Sequence, residues 1–184
     1  LGRAGQAVVT ALASNSSGDA AAMVSVPVAG KTTIAGYQSR LFVRRRGQSS
    51  FRRILNVGVR TVGQSPAALA VNTPGDVLVA WDDRTSVRAR LVRANGKLGN
   101  EQRLGQGGSA FVGGERLVAA MDGTRRMLVA WMAQRIGEGS YAGSPGTVAL
   151  AYASPYKAFR PAQVVQRNLP TGGSGGITGR AVQT

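Results

Sequence analysis

One unit occurs three times in this chain, and that repetition constrains the fold more than any other feature. Its first copy runs Ala7 to Ala13, then the turn Asn15-Ser16-Ser17-Gly18-Asp19, then Ala20 to Val26. The second runs Ala67 to Val71, Asn72-Thr73-Pro74-Gly75-Asp76, then Val77-Leu78-Val79-Ala80-Trp81. The third runs Arg116 to Met121, Asp122-Gly123-Thr124-Arg125-Arg126, then Met127-Leu128-Val129-Ala130-Trp131. Each reads as strand, Gly-bearing polar turn, strand, because Gly beside Asn or Asp tolerates the positive φ a tight hairpin needs. Trp81 and Trp131 lie 50 residues apart, and Gly18 and Gly75 lie 57 apart.

The downstream halves correspond as well. Ser39 to Arg44, Ser86 to Leu91 and Thr147 to Tyr152 are third strands, each followed by a small polar turn. Phe51 to Leu55, Glu101 to Leu104 and Phe159 to Val165 complete the units. No segment sustains a 3.6-residue apolar period, so almost no helix is expected. The spacing predicts one all-β domain over 1–184, with four-stranded antiparallel repeats at about 6–58, 66–112 and 115–166. Residues 167–184 then form a linker with an extra strand. The second strand of the second repeat is apolar at every position, as a strand covered on both faces should be. The third alternates, with Val87, Ala89 and Leu91 opposite Arg88 and Arg90, and the fourth is more polar. Burial is therefore expected to fall from early strands to late ones. A β-sandwich of 10 to 12 strands is the alternative architecture.

This pattern resembles the blade repeats of bacterial β-propeller proteins of the sialidase-like kind, over roughly residues 6–166. The resemblance implies a β-propeller-like fold. It does not bring a sialidase catalytic set. The nearest counterpart of the sialidase Asp box, S-x-D-x-G-x-T-W, is Asp122-Gly123-Thr124. There Ala120 stands in place of the Ser, and the next Trp is Trp131. Closed propellers have about four to eight blades, so three repeats leave two open edges. Further sequence would close them, or a symmetric partner, two chains giving six blades. Gly172 to Gly176 reads as a flexible linker, and Ile177 to Val182 as the start of a fourth blade or a strand that swaps into a neighbour. The start Leu1-Gly2-Arg3-Ala4 shows neither an initiator Met nor a signal peptide. It fits a processed chain and a piece of a longer one equally well.

The chain has no Cys and no His. Disulfides, thiolate metal sites, a thiol nucleophile and an imidazole base are all excluded within it. No catalytic residue, metal site or cofactor is expected. With 43% apolar residues in short bursts, the 184 residues can build a core. No apolar run approaches the roughly 18 residues of a membrane span.

Charge carries the positive functional signal. Lys and Arg number 23 against 8 Asp and Glu, a formal net charge of +15. Three of the cations are Lys (Lys31, Lys97, Lys157) and the rest are Arg. Compositional bias of the kind seen in GC-rich genomes accounts for Arg over Lys, but not for the shortage of acids. Polyanionic surroundings account for both. Arg44, Arg45 and Arg46 with Arg52 and Arg53 flank one turn, and guanidinium groups so crowded call for a counter-anion. Arg125 and Arg126 are a smaller version. Nucleic acid, teichoic acid or acidic polysaccharide would suit. The competing explanation is a solvated edge whose charges block aggregation.

Other candidates have plainer explanations. Trp81 and Trp131 could stack on sugars or bases, but packing between repeats explains their matched positions better, and ten aromatics supply a poor stacking platform. Asp82-Asp83 is read as a salt-bridge partner of Arg84 or Arg88 rather than a carboxylate pair, since neighbours on a strand face opposite ways. Glu138 with Tyr141 weakly suggests a glycosidase nucleophile pair. Neither Gly-rich stretch has the helix and Lys-Ser/Thr of a phosphate loop. The leading expectation is a non-enzymatic binding module, exported or surface-associated in a bacterium. It would contact acidic polymer or partner protein through Arg-rich strand edges. Two alternatives stand beside it: a structural subunit that self-associates into an oligomer or filament, and a non-catalytic fragment of a glycosidase-like propeller.

Overall fold

Left-handed residues fix where each hairpin closes. The structure, a computed structural model, describes residues 7–29, 34–60, 67–83, 85–106, 117–134 and 146–169. In the first repeat Gly18 has φ 93°, and the Asn15 N–H donates to the Asp19 carbonyl at 3.0 Å. This joins β1 (Val8–Ser14) to β2 (Ala20–Ala29). Gly75, φ 89°, does the same between β5 (Ala67–Val71) and β6 (Val77–Asp82), where Asn72 N–H donates to Asp76 at 3.1 Å. Between β9 (Leu117–Met121) and β10 (Met127–Gln134) the hydrogen bond recurs from Asp122 to Arg126, also at 3.1 Å. There the left-handed residue is Arg125, φ 68°, and not Gly123.

Each hairpin extends into a meander. Sheet I adds β3 (Ile34–Arg44) and β4 (Arg52–Arg60), sheet II adds β7 (Ser86–Val92) and β8 (Gln102–Gln106), and sheet III adds β11 (Gly146–Ala153) and β12 (Gln163–Leu169). All pairings are antiparallel between sequence neighbours, giving three separate four-stranded sheets. No helix occurs among the described residues. The strands therefore divide over three sheets, as the repeat predicts, and not over the two of a sandwich. The tail beyond 169 lies outside the described residues.

The sheets stack in chain order. One core cluster joins sheets I and II: Ala21, Met23, Leu41, Val43 and Val57 against Val77, Val79, Trp81 and Val92. A second joins sheets II and III: Leu78, Ala80, Val87, Ala89 and Leu104 against Leu117, Met127, Val129, Trp131 and Ala149. Sheet II is thus the middle layer, and all six residues of β6 are buried. Its alternating positions serve different neighbours, Val77, Val79 and Trp81 facing back and Leu78 and Ala80 facing forward. The first strands also meet, β1 against β5 and β5 against β9.

Both tryptophans sit between sheets, Trp81 at 4% exposure and Trp131 at 3%. Trp131 lies across β8 of sheet II, where a Cβ on Gly105 would come within 2.7 Å of its ring. Burial does not fall steadily from the first strand to the fourth, as alternation alone suggested. It peaks in the second and third strands, and it depends on the covering sheet: β5 is half-buried or buried throughout, whereas Val9 and Leu12 of β1, on the face of sheet I turned away from sheet II, are 59% and 69% exposed.

Gly105→Ala should destabilise the protein by ~1–3 kcal/mol, the usual cost of forcing atoms into a packed contact. Gly123→Ala, with nothing within 4 Å of the added carbon, should leave the urea midpoint almost unchanged. Equal midpoints for the two variants would contradict the stacking of Trp131 on β8.

Candidate functional site

In a meander the first and third turns fall at the same end of the sheet. All six such loops therefore gather at one end of the stack. They are 15–19, 45–51, 72–76, 93–101, 122–126 and 154–162. Their hydrogen bonds begin with an asparagine. The Asn15 Oδ1 accepts from the Asp19 N–H at 2.9 Å, and its Nδ2 donates to the Asp19 carboxylate at 3.0 Å. Asn72 and Asp76 repeat both bonds, at 2.7 and 3.2 Å. Each aspartate then ties its own third turn: Asp19 accepts from the Arg46 N–H at 3.1 Å, Asp76 from the Ala94 N–H at 2.9 Å. Sheet III exchanges the partners. Asp122 stands at the asparagine position and accepts from the Arg126 N–H and Nε at 2.9 and 2.7 Å. Pro155, which has no N–H, stands where Arg46 and Ala94 donate.

Two arginines bracket the sheets together. The Arg45 guanidinium reaches from sheet I to the Gly75 carbonyl and, at 3.0 Å, to the Arg93 carbonyl of sheet II. Asn15 Nδ2 adds a bond to the Asn72 carbonyl at 2.7 Å. From sheet III, Arg125 donates through Nε to the buried Asp76 carboxylate and through Nη1 to the Tyr156 hydroxyl, its guanidinium 4.8 Å from that ring's centre. The left-handed backbone at Arg125 costs ~1–2 kcal/mol, and the buried ion pair is what holds the residue there. Burial pushes the Asp76 carboxyl up. The hydrogen bonds from Arg125, Ala94 N–H and Asn72 outweigh it and bring the pKa below its ordinary value.

Of the arginines singled out from sequence, Arg45 and Arg125 are thus partly buried brackets. Arg44 ends β3 with its guanidinium 5.7 Å from the Phe51 ring centre and its Nε buried without a hydrogen-bond partner. Arg126 pairs with Asp122, and hydrogen bonds from the Thr124 hydroxyl and the Arg126 N–H hold that carboxyl at about 2. Arg46, Arg52 and Arg53 are exposed, with no side-chain bond to a described residue. Sequence reasoning passed over Arg93, Lys97, Lys157 and Arg160, which the turns bring to the same end and which are all exposed. Their common place after a third strand was the available signal.

The six loops carry eight cations (Arg45, Arg46, Arg93, Lys97, Arg125, Arg126, Lys157, Arg160) and four acids (Asp19, Asp76, Glu101, Asp122). Every one of those acids is already bonded within the protein. Glu101 belongs to a separate network, in which Arg88 bridges it at 2.6 Å and Asp83 at 2.5 Å. Asp83 also accepts from Thr85 and Ser86. Burial raises its pKa, but these bonds outweigh that and hold the carboxyl well below the usual range. This is the salt bridge expected of the Asp82-Asp83 pair. Arg84, Glu138 and Tyr141 lie outside the described residues.

Among the described residues no cluster of acids is placed to hold a metal ion, and no helix is long and apolar enough to cross a membrane. Comparison with known proteins finds no matching family model, no matching curated protein and no matching solved structure.

Asp76→Asn keeps an acceptor for Ala94 but loses the charge that holds Arg125. At pH 7 it should cost ~1.5–3 kcal/mol, the usual worth of a hydrogen bond to a charged group. Asp76 is harder to protonate in the folded protein than in the unfolded chain. Its contribution is therefore complete above the ordinary value of 3.8 and fades as pH falls through the lower folded value. The gap between parent and variant in urea melts should close on acidification below pH ~4. A constant gap would show that the carboxylate's charge is not what stabilises the junction.

Proposed function

We propose that the protein is a non-enzymatic binding module, its three sheets acting as blades of a β-propeller-like stack. Its turn end grips an acidic polymer. One observation carries the reading: eight cations face four acids in the six turn loops, and the acids are spent on internal bonds. The positive charge left over has no counterpart among the described residues and attracts a polyanion over a Debye length of about 8 Å at physiological salt. Arg46, Arg52 and Arg53 extend the face along the outer edge of sheet I.

Guanidinium groups match sulfate, carboxylate and phosphate through paired N–H bonds. The exposed aromatics near the face are few, Phe51 and Tyr156, so stacking on successive bases is poorly provided for. That favours an acidic polysaccharide over single-stranded nucleic acid.

The triple variant Arg46→Glu, Arg52→Glu and Arg53→Glu should elute from heparin at much lower salt than the parent. With single-stranded DNA as a reference polyanion, the slope of log K against log salt should flatten by roughly 2, from a loss of ~0.7 per contact. Unchanged retention and slope would remove this edge from the site. Arg45→Ala, by contrast, should lower the unfolding midpoint, since its guanidinium joins two sheets.

A further inference from the structure

The same repeat position is buried in one sheet and open in another. On the forward face of sheet II, Leu78 is 0% exposed and Ala68 8%. Their counterparts on sheet III, Leu128 and Val118, are 38% and 59% exposed. Around these two stand Ala130, Leu150 and Tyr152, the last two lining a shallow recess with Arg160, Pro161 and Gln163. On the backward face, Leu69 of sheet II packs into the core shared with sheet I. Its counterpart on sheet I, Leu12, is 69% exposed, beside Val9 at 59%. Among the described residues no sheet covers the forward face of sheet III or the backward face of sheet I; each is apolar on its first two strands, while Arg40 and Arg44 of β3 share the face of sheet I with Leu12.

The protein itself shows what covers such faces. At both internal junctions a forward face receives the backward face of the next sheet, with β6 meeting β9 and β2 meeting β5. The uncovered faces are one of each kind. We propose that a second copy of this chain covers them, sheet III of each copy docking its forward face on sheet I of the other. Two such junctions, related by a twofold axis, close a ring of six sheets, within the usual range for propellers. The inference rests on the blade arrangement and not on polyanion binding. Across the new junction Leu128 and Leu12 take the repeat positions that Leu78 and Ala119 hold in the second core cluster and Ala21 and Leu69 in the first.

Sedimentation of the unmodified chain should give twice its 19.0 kDa mass. The absence of native cysteine allows a direct test of which faces meet. Both leucines are exposed, so their replacement leaves the single chain's core intact. A chain carrying Leu12→Cys and Leu128→Cys together should form a covalent dimer on mild oxidation, and neither single variant should. Cross-linking of a single variant would mean that like faces meet and would overturn the proposal. A ladder beyond the dimer would overturn ring closure, and a monomer with no cross-link would overturn the second copy as occupant. Heparin retention of the same neutral variants reports separately on the basic face and should not change.

Discussion

At β6 sheet II is covered on both faces, and the rest of the architecture follows from that. A sheet wetted on one side alternates apolar and polar residues, whereas β6 must be apolar at every step between its turn and Trp81. Burying Val77, Leu78 and Val79 contributes about 1.5–3 kcal/mol each, and each contribution exists only while a neighbouring sheet is in place. Sheets I and III are therefore conditions for sheet II rather than additions to it, the nearest-neighbour dependence of repeat proteins. The polar bonds follow the same rule. Asp76 lies wholly out of solvent and is tolerable only because sheet III supplies Arg125 and its own third turn supplies the Ala94 N–H.

Much of this was legible in the chain. The 50-residue spacing of the tryptophans located two sheet interfaces, and the Gly-bearing turns located the hairpins. The contrast between β6 and the alternating β7 marked one sheet as covered on both sides. These signals are local, set by backbone geometry or by side-chain period. What the sequence hid depends on atoms far away along the chain. Arg45 and Arg46 are neighbours of one type, yet one joins two sheets and the other meets solvent. The difference is the position of the Gly75 and Arg93 carbonyls, 30 and 48 residues on. Arg125 hides its role similarly, since nothing local marks it instead of Gly123 as the left-handed residue. The ordering of burial was misjudged because the polarity of a strand does not show which of its faces another sheet covers: Leu12 and Leu69 hold the same repeat position, one exposed and one in a core.

The arginines divide their work. Those that point inward across a junction satisfy carbonyls or a buried carboxylate and give rigidity. Of those that point out from the same loops, Arg126 pairs with Asp122, and Arg46, Arg93, Lys97, Lys157 and Arg160 find no acid among the described residues. The shortage of acids noted in the composition has a structural meaning here. Asp19, Asp76 and Asp122 are drawn into closing turns and Glu101 into the Arg88 network, so among the described residues no loop acid is left to blunt the field at that end. Stability and the basic surface thus come from one set of loops.

The exchanged turn of sheet III has a consequence for how the chain reaches its native order. A polypeptide made of near-copies can pair the wrong copies while folding. Sheets I and II are alike enough to mistake for each other, each with Asn and Asp around its first turn. Sheet III carries Asp122 and Arg126 in the reverse sense and Pro155 where a donor would be. Slotted into the middle position, it would place Arg126 where Asp76 accepts from Arg125 and Pro155 where Ala94 donates. The swap makes the third unit chemically distinct from the first two, which favours one order of three similar modules along the chain.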